Sequence, residues 1–171
     1  MAKIIWLTGL SGAGKTTLSR KINNFLKHNN KCLIIDGDTF REKSKQFSFS
    51  KKNITKNNLQ IINYCKKNYL KYDYILVSVI SPLKKTRKYA YKIFKENYFE
   101  VYVFASIKVL IKRDTKGLYD LSKKGLINNL IGYRSKINYE KSDHKYLRIN
   151  TNILSLNQSM LRILKYTKIK G

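Results

Sequence analysis

The stretch GLSGAGKTT, residues 9–17, constrains this chain most, because it joins an apolar run at residues 4–7 to a segment with helical spacing. Gly9, Gly14, Lys15 and Thr16 match the pattern G-x-x-x-x-G-K-[ST] between a predicted strand and a predicted helix. Glycines let consecutive backbone N–H groups turn towards a phosphate, and the helix N-terminus adds partial positive charge. We therefore predict a phosphate-binding loop for a nucleoside triphosphate; the alternative is a chance glycine turn.

Two side chains of this loop have separate predicted roles. Lys15 is expected to reach the β- and γ-phosphates of the bound nucleotide. Thr16 is expected to place its hydroxyl on a Mg²⁺ ion.

The rest of the chain alternates apolar runs with amphipathic segments. Strands are predicted at residues 3–8, 32–35, 74–80, 101–105 and 146–149. Helical spacing joins two sets of residues: Leu18, Ile22, Phe25 and Leu26, and then Ala90, Ile93, Phe94 and Asn97. Strands that are apolar throughout and separated by helices indicate a five-stranded parallel sheet with helices on both faces, an α/β fold. Ligands of such a domain lie beyond the C-terminal ends of its strands.

Length and hydropathy predict a single domain over residues 1–171. With 171 residues and 43% hydrophobic side chains, the chain can bury a core without disulfides or structural metals. Cys32 and Cys65 are therefore expected to be reduced thiols rather than a disulfide. No apolar run approaches the ~18 residues of a membrane span, and the N-terminus is strand-like, so we expect a cytoplasmic protein without a membrane partner.

The charge is extreme: 36 Lys and Arg against 10 Asp and Glu give a net charge of +26. Such an excess attracts polyanions, so a nucleic-acid-binding ATPase is an alternative function. The basic residues are scattered over every segment, however, and are not gathered in one helix or tail. We therefore expect a small anionic partner and no specific nucleic acid.

A pair of carboxylates follows the second predicted strand in the sequence IIDGDTFR. Asp36 and Asp38 flank a glycine there, and Arg41 follows one turn later. Carboxylates beside the phosphate loop can hold hydrated Mg²⁺ or accept a proton from an attacking hydroxyl, and Arg41 can clamp an anionic acceptor. The alternative is an Asp-Gly turn with a helix cap.

The sequence RDTKGLYDLSKKG, residues 113–125, is basic and punctuated by glycine. Such a segment is typical of a lid that closes over phosphates, with Arg113 and Lys116 neutralising charge and water excluded from the site. We place the lid at about residues 114–135; the alternative is a solvated basic loop. No GTPase-type NKxD sequence occurs, which argues against a switch protein.

Together these motifs resemble the adenylylsulfate kinases over nearly the whole chain. The matching segments, in order, are WLTGLSGAGKTT, DGDTFR, FSFS, ISP, FEVYVF, RDTKGLY and NYE. The resemblance implies a P-loop kinase domain that uses ATP and Mg²⁺ to phosphorylate the ribose 3′-hydroxyl of a small nucleotide, usually as a homodimer.

The resemblance also implies site residues. Lys15, Asp38 and Ser81 are the expected catalytic residues, with Asp38 orienting or deprotonating the acceptor and Ser81 acting as a positioning hydroxyl during direct transfer. Thr16 and Asp36 are expected at the metal. ATP is expected to contact Gly9, Leu10, Ser11, Gly12, Ala13, Gly14, Lys15, Thr16, Thr17 and Arg113. The acceptor is expected to contact Asp38, Arg41, Phe49, Asn57, Ile80, Ser81, Lys116, Gly117 and Leu118.

Several positions depart from the pattern of the family. Ile54 replaces an arginine, Leu59 and Gln60 replace two more, and Leu130 replaces the aromatic residue that stacks on the acceptor's adenine. Arginine–oxyanion contacts and base stacking are each worth roughly 1–3 kcal/mol. These departures favour a related branch that phosphorylates cytidine diphosphoramidate for capsular polysaccharide biosynthesis, with adenylylsulfate as the alternative acceptor.

Overall fold

The computed structural model describes residues 1–43 and 50–169 and has a five-stranded parallel sheet at its centre. The strands are β1 (Lys3–Thr8), β2 (Cys32–Asp36), β3 (Tyr74–Val79), β4 (Tyr98–Phe104) and β5 (Leu147–Asn150). Their order in the sheet is β2-β3-β1-β4-β5, and every neighbouring pair is parallel. The predicted α/β fold is therefore confirmed.

The predicted strand positions are confirmed, with differences at their ends. β1 has the predicted bounds, and β2 extends one residue further, to Asp36. Ile80 lies just beyond β3, and β4 starts three residues earlier than predicted, at Tyr98. β4 starts early because Tyr98 pairs with Ile4 of the central strand, so that the ladder with β1 begins there.

Seven helices connect and cover the strands in the described part of the chain. They are α1 (Lys15–Leu26), α2 (Gly37–Lys43), α3 (Lys51–Asn68), α4 (Lys84–Phe94), α5 (Ile107–Arg113), α6 (Leu118–Lys123) and α7 (Leu156–Tyr166). A 3-10 turn at Lys95–Asn97 follows α4, so the prediction that Asn97 continues this helix was wrong.

The core has one layer on each face of the sheet. Ile5 and Leu7 of β1 face a layer that includes α1 and α7, whereas Ile4 and Trp6 face a layer that includes α3 and α4. This alternation is expected for a strand buried on both faces. Phe25 was predicted on the buried face of α1 but is 42% exposed, because Leu18, Ile22 and Leu26 fill the layer beneath the helix.

The cysteines agree with the sequence prediction. Cys65 is buried in α3, Cys32 is half-buried in β2, and both are free thiols. Among the helices of residues 1–43 and 50–169, none is long and apolar enough to cross a bilayer.

Candidate active site

The phosphate-binding loop lies at the C-terminal end of the central strand and requires glycine for two different reasons. At Gly9 a Cβ atom would lie 2.1 Å from the carbonyl oxygen of Val103. Gly14 has φ 97°, in the left-handed region, and directly precedes α1. The backbone therefore passes closely over β4 and then turns sharply into the helix, which aims the helix N-terminus at the loop.

Lys15 is folded back into this loop. Its side chain is largely buried, and Nζ donates a hydrogen bond of 2.8 Å to the carbonyl oxygen of Leu10. Burial, partly offset by the attraction of Asp38, lowers the pKa of Lys15 from 10.5 to about 8. The ammonium is thus poorly compensated, and phosphate oxygens are far stronger partners for it than a peptide carbonyl.

Thr16 and Asp36 form the candidate metal site. The hydroxyl of Thr16 donates 2.7 Å to Oδ2 of Asp36, and Oδ1 accepts the backbone N–H of Asp38 at 2.9 Å. A hydroxyl and a carboxylate are hard oxygen ligands, and Mg²⁺ is commonly held by one or two protein oxygens together with phosphates and water. The residues present therefore fit Mg²⁺. No cluster of three or more His, Cys, Asp or Glu that could hold a metal occurs among residues 1–43 and 50–169.

Asp38 stands opposite Lys15 and carries two basic partners. Its carboxylate is ion-paired with Arg41 from α2 and with Lys116 from the segment before α6. Burial raises the pKa of Asp38, but the Lys116 hydrogen bond and the charges of Lys116, Arg41 and Lys15 outweigh it and leave the pKa below its usual value. Asp38 is therefore ionised at neutral pH and is a weak base, which suits orientation of an acceptor better than deprotonation.

One cleft brings together nine of the twenty predicted site residues. It is lined by Ser11, Gly12, Gly14, Lys15, Thr16, Thr17, Asp38, Ser78, Val79, Ile80, Thr115 and Lys116. Ser78, Val79 and Thr115 were missed by the sequence analysis. Ser78 and Val79 end the strand next to β1, so the adjacency of parallel strand ends could have identified them.

Ser81 does not line this cleft. Its side chain is fully buried, and its hydroxyl lies 3.3 Å from that of Thr86. Its backbone N–H donates 3.3 Å to the hydroxyl of Thr8. This placement fits a positioning role and offers no open path to a phosphoryl group.

Of the predicted residues that the structure describes, Asn57 and Arg113 do not line this cleft. Asn57 is buried in α3, and its amide oxygen lacks a hydrogen-bond partner among the described residues. Arg113 donates to the hydroxyl of Thr151 at 3.0 Å, and that hydroxyl in turn donates to the carbonyl of Ala13 in the phosphate loop. Phe49 lies outside the described residues.

The predicted lid segment is attached to the phosphate loop. Tyr119 of α6 is buried, and its hydroxyl donates 3.0 Å to the carbonyl of Ser11. Gly117 caps α6 with φ 64°, and Leu118 is its first residue. A Cβ atom at Gly132 would lie 2.6 Å from the Leu10 side chain. The segment therefore closes against the loop through close backbone approach and a tyrosine hydrogen bond.

The departures from the family pattern occupy two different places. Ile54 is 5% exposed and packs in an aliphatic cluster with Leu83, Ile131 and Ile137, against which Ile80 of the cleft also packs. Leu130 packs instead in the main core beneath the sheet. The prediction that Leu130 contacts the acceptor is therefore not supported, and Ile131 is the residue of the predicted lid segment that lies in the Ile54 cluster.

A buried charged residue was also missed. Arg87 of α4 is fully buried and pairs with Glu100 of β4 at 3.1 Å. Its position was readable as a charged residue on the buried face of α4, three and seven residues before Ala90 and Phe94. Its contacts are long-range, and no local pattern gives them.

Comparison with known proteins gives consistent results. A family model described as adenylylsulphate kinase matches residues 1–150. A probable adenylyl-sulfate kinase of Pyrococcus abyssi is 37% identical, with 98% of this chain and 95% of that protein covered. An adenylyl-sulfate kinase of Halothermothrix orenii is 34% identical, with coverage of 98% and 90%.

Solved structures support the same fold. The Mycobacterium tuberculosis APS kinase CysC, in complex with AMPPNP and APS, superposes with a TM-score of 0.84 at 24% identity, covering 98% of both chains. The family match spans the phosphate loop, both carboxylates and the predicted lid segment. The expected preference for cytidine diphosphoramidate finds no support among these relatives, which favour the alternative. The chain belongs to the adenylylsulphate kinase family and is an ATP-binding phosphotransferase with an alcohol group as acceptor.

Proposed function

We propose that this protein transfers the γ-phosphoryl group of Mg²⁺-ATP to the ribose 3′-hydroxyl of adenylylsulfate. The observation that carries the proposal is the arrangement of one cleft, in which Asp38, bridged to Lys116, faces Lys15 and Thr16 of the phosphate loop. One side of the cleft is suited to a triphosphate and the other to an anionic acceptor with a hydroxyl to be oriented.

The donor side works by electrostatics and alignment. Loop N–H groups and the N-terminus of α1 bind phosphate oxygens, and Lys15 neutralises charge that develops as the phosphoryl group moves. Thr16 and Asp36 would hold Mg²⁺, which would neutralise charge on the phosphates. Water exclusion falls to the lid, residues 114–135, which Tyr119 attaches to the loop.

The acceptor side depends on Asp38 and its two cations. Asp38 accepts a hydrogen bond from the 3′-hydroxyl and fixes its direction. Because the transition state is loose and largely dissociative, little base strength is needed, and the hydroxyl proton passes to Asp38 only as the new O–P bond forms and ADP leaves. Arg41 and Lys116 pair with the Asp38 carboxylate when no acceptor is bound. The anionic end of the acceptor would take the place of that carboxylate as their partner. The names of the relatives, adenylyl-sulfate kinases at 37% and 34% identity, make adenylylsulfate the favoured acceptor.

A second acceptor has one structural observation in its favour. Ile54 lies in an aliphatic cluster with Ile131, where the family pattern has an arginine clamp, so this part of the wall offers no cation to a sulfated phosphate. Cytidine diphosphoramidate, with a smaller base and a different anionic end, is therefore the competing acceptor.

The deciding experiment measures kcat/KM for both acceptors at the same Mg²⁺-ATP concentration. We expect adenylylsulfate to be preferred by at least about tenfold, equivalent to ~1.4 kcal/mol of transition-state binding. A preference for cytidine diphosphoramidate would show that Ile54 has changed the acceptor. Ile54→Arg then tests the cause, since it should move the ratio towards adenylylsulfate.

We also infer that the protein functions as a homodimer, on the strength of its resemblance to the family. Light scattering coupled to size exclusion should give twice the chain mass at micromolar concentration. A monomer that is fully active at nanomolar concentration would overturn this inference.

A further inference from the structure

The fully buried guanidinium of Arg87 has no role in the proposed chemistry. Arg87 lies in the first turn of α4, and its side chain is 0% exposed. Its charge is balanced by Glu100, whose carboxylate oxygen is 3.1 Å from Nε and is also buried. A buried arginine paired in this way is a weak source of stability, because desolvation offsets the attraction and apolar residues of the same size serve as well.

What distinguishes Arg87 is the set of backbone groups that it holds. Nη1 donates to the carbonyl oxygen of Ser81, just beyond β3. Nη2 donates to the carbonyl oxygen of Glu140, in the segment that follows the predicted lid. Nε also lies 3.0 Å from the hydroxyl of Ser142, which donates 2.6 Å to Glu100. The planar guanidinium thus joins the residues just after β3, strand β4 and residues 140–142, which a lysine cannot do.

The same contacts connect Arg87 to the acceptor side of the cleft and to the phosphate loop. Ser81 follows Ile80, which lines the cleft, and the N–H of Ser81 donates to the hydroxyl of Thr8. Thr8 directly precedes the phosphate loop. Tyr139, whose ring centroid is 4.8 Å from the Arg87 guanidinium, donates its hydroxyl to the same Thr8 oxygen at 3.1 Å. One network around Arg87 therefore holds two parts of the site. They are the phosphate loop and Ile80, the cleft residue after β3 that we call the acceptor wall.

We propose that Arg87 is a positioning residue that fixes the acceptor wall relative to the phosphate loop. This inference rests on the proposed function. In-line transfer requires the acceptor oxygen and the γ-phosphorus to be held a few ångströms apart and aligned, and small displacements are costly. Loss of the guanidinium should misplace the wall at Ile80 while the phosphate loop keeps its own glycines and Lys15. The expected defect is thus in coupling and kcat, and not in ATP affinity.

The test compares Arg87→Lys and the double variant Arg87→Met/Glu100→Gln with Lys84→Met. The double variant avoids leaving the buried Glu100 carboxylate without the Arg87 cation, with only His144, at 2.9 Å, as a basic neighbour among the described residues. Lys84 is the matched control, because it joins α4 to Asp143, next to residues 140–142. This contact is an exposed ion pair of 3.2 Å. All variants are assayed below the temperature at which circular dichroism first detects unfolding.

For both Arg87 variants, kcat with the nucleotide acceptor should fall by about tenfold or more, as expected for a misaligned reacting pair. The Kd for ATP should stay within about twofold of wild type, and ATP hydrolysis by water should rise relative to acceptor phosphorylation. The control should match wild type on all three measurements.

Three results would overturn the proposal. One is a folded Arg87→Lys enzyme whose kcat and coupling equal those of Lys84→Met. Another is a parallel loss of ATP affinity, which would indicate general distortion. The third is failure of both Arg87 variants to fold, which would make Arg87 a stability residue. Failure of the proposed function is distinguishable, since wild type and Lys84→Met would then phosphorylate neither acceptor.

Discussion

At Lys15 the need for a positive charge in the site conflicts with the stability of the folded protein. Burial lowers its pKa to about 8, which means that the folded protein binds this proton less tightly than the unfolded chain does. Below pH 8 both states carry the proton, so the full cost of the buried charge is present. Above pH 8 the folded state releases it and the cost declines until the unfolded lysine also titrates, near 10.5. The protein retains a destabilising charge where a phosphate is to be bound.

Replacing Lys15 by methionine should separate function from stability. Lys15→Met should abolish most phosphoryl transfer, since the charge acts in the transition state. At pH 7 its free energy of unfolding should exceed that of wild type by up to about 3 kcal/mol, as each pKa unit corresponds to ~1.4 kcal/mol. Urea unfolding at pH 7 and pH 9.5 should show the difference shrinking at the higher pH. A variant less stable than wild type at pH 7, or one with normal turnover, contradicts this account of Lys15.

Asp38 should behave as an orienting carboxylate whose loss is catalytic. Asp38→Asn removes the charge that holds Lys116 and Arg41, and we expect kcat to fall by about a hundredfold. Asp120→Asn is the matched control, because Asp120 of α6 forms an exposed ion pair of 2.7 Å with Lys124, which follows the helix. Steady-state kinetics should leave that control within about twofold of wild type. If the two substitutions change kcat equally, Asp38 has no catalytic role.

At the scale of the element, the phosphate loop depends on contacts that a motif only partly encodes. The pattern of glycines predicted a sharp turn, and the structure adds the reason at Gly9, which passes against the backbone of β4. The strands were predictable because apolar β-branched runs are local. The early start of β4 was not, because pairing with Ile4 in the central strand determines it.

Alanine substitutions should distinguish close approach from turn geometry. Gly9→Ala places a Cβ 2.1 Å from the carbonyl oxygen of Val103, so the loop must move and ATP binding should be lost. Gly125→Ala meets open space and carries only the cost of its φ of 75°, about 1 kcal/mol. Thermal unfolding and ATP titration of both variants measure the two effects. If Gly9→Ala binds ATP normally, the loop does not pass β4 as described.

At the scale of the whole molecule, the candidate site could be predicted only as far as its residues lie near each other along the chain. The phosphate loop and the Asp36–Asp38 pair come from contiguous motifs. The pairing of Lys116 with Asp38 joins residues 78 positions apart. The network of Arg87 and the packing of Leu130 likewise follow from how the layers close on each other.

The net charge of +26 also acts over the whole molecule. It should speed encounter with anionic nucleotides, so kcat/KM for ATP should fall as ionic strength rises. DNA or RNA should leave ATP turnover unchanged at physiological salt, which a coupled ATPase assay can measure. Strong stimulation by nucleic acid without a nucleotide acceptor would favour a nucleic-acid-dependent ATPase instead.

The most direct test of a nucleotide 3′-kinase is to identify the product of wild-type enzyme with Mg²⁺-ATP and adenylylsulfate. We predict that ³¹P NMR will show one new phosphomonoester coupled to the ribose H3′, formed in equal amount to ADP and absent with Lys15→Met. Release of ADP and inorganic phosphate alone, with adenylylsulfate and with cytidine diphosphoramidate alike, or a phosphate at another oxygen, would contradict it.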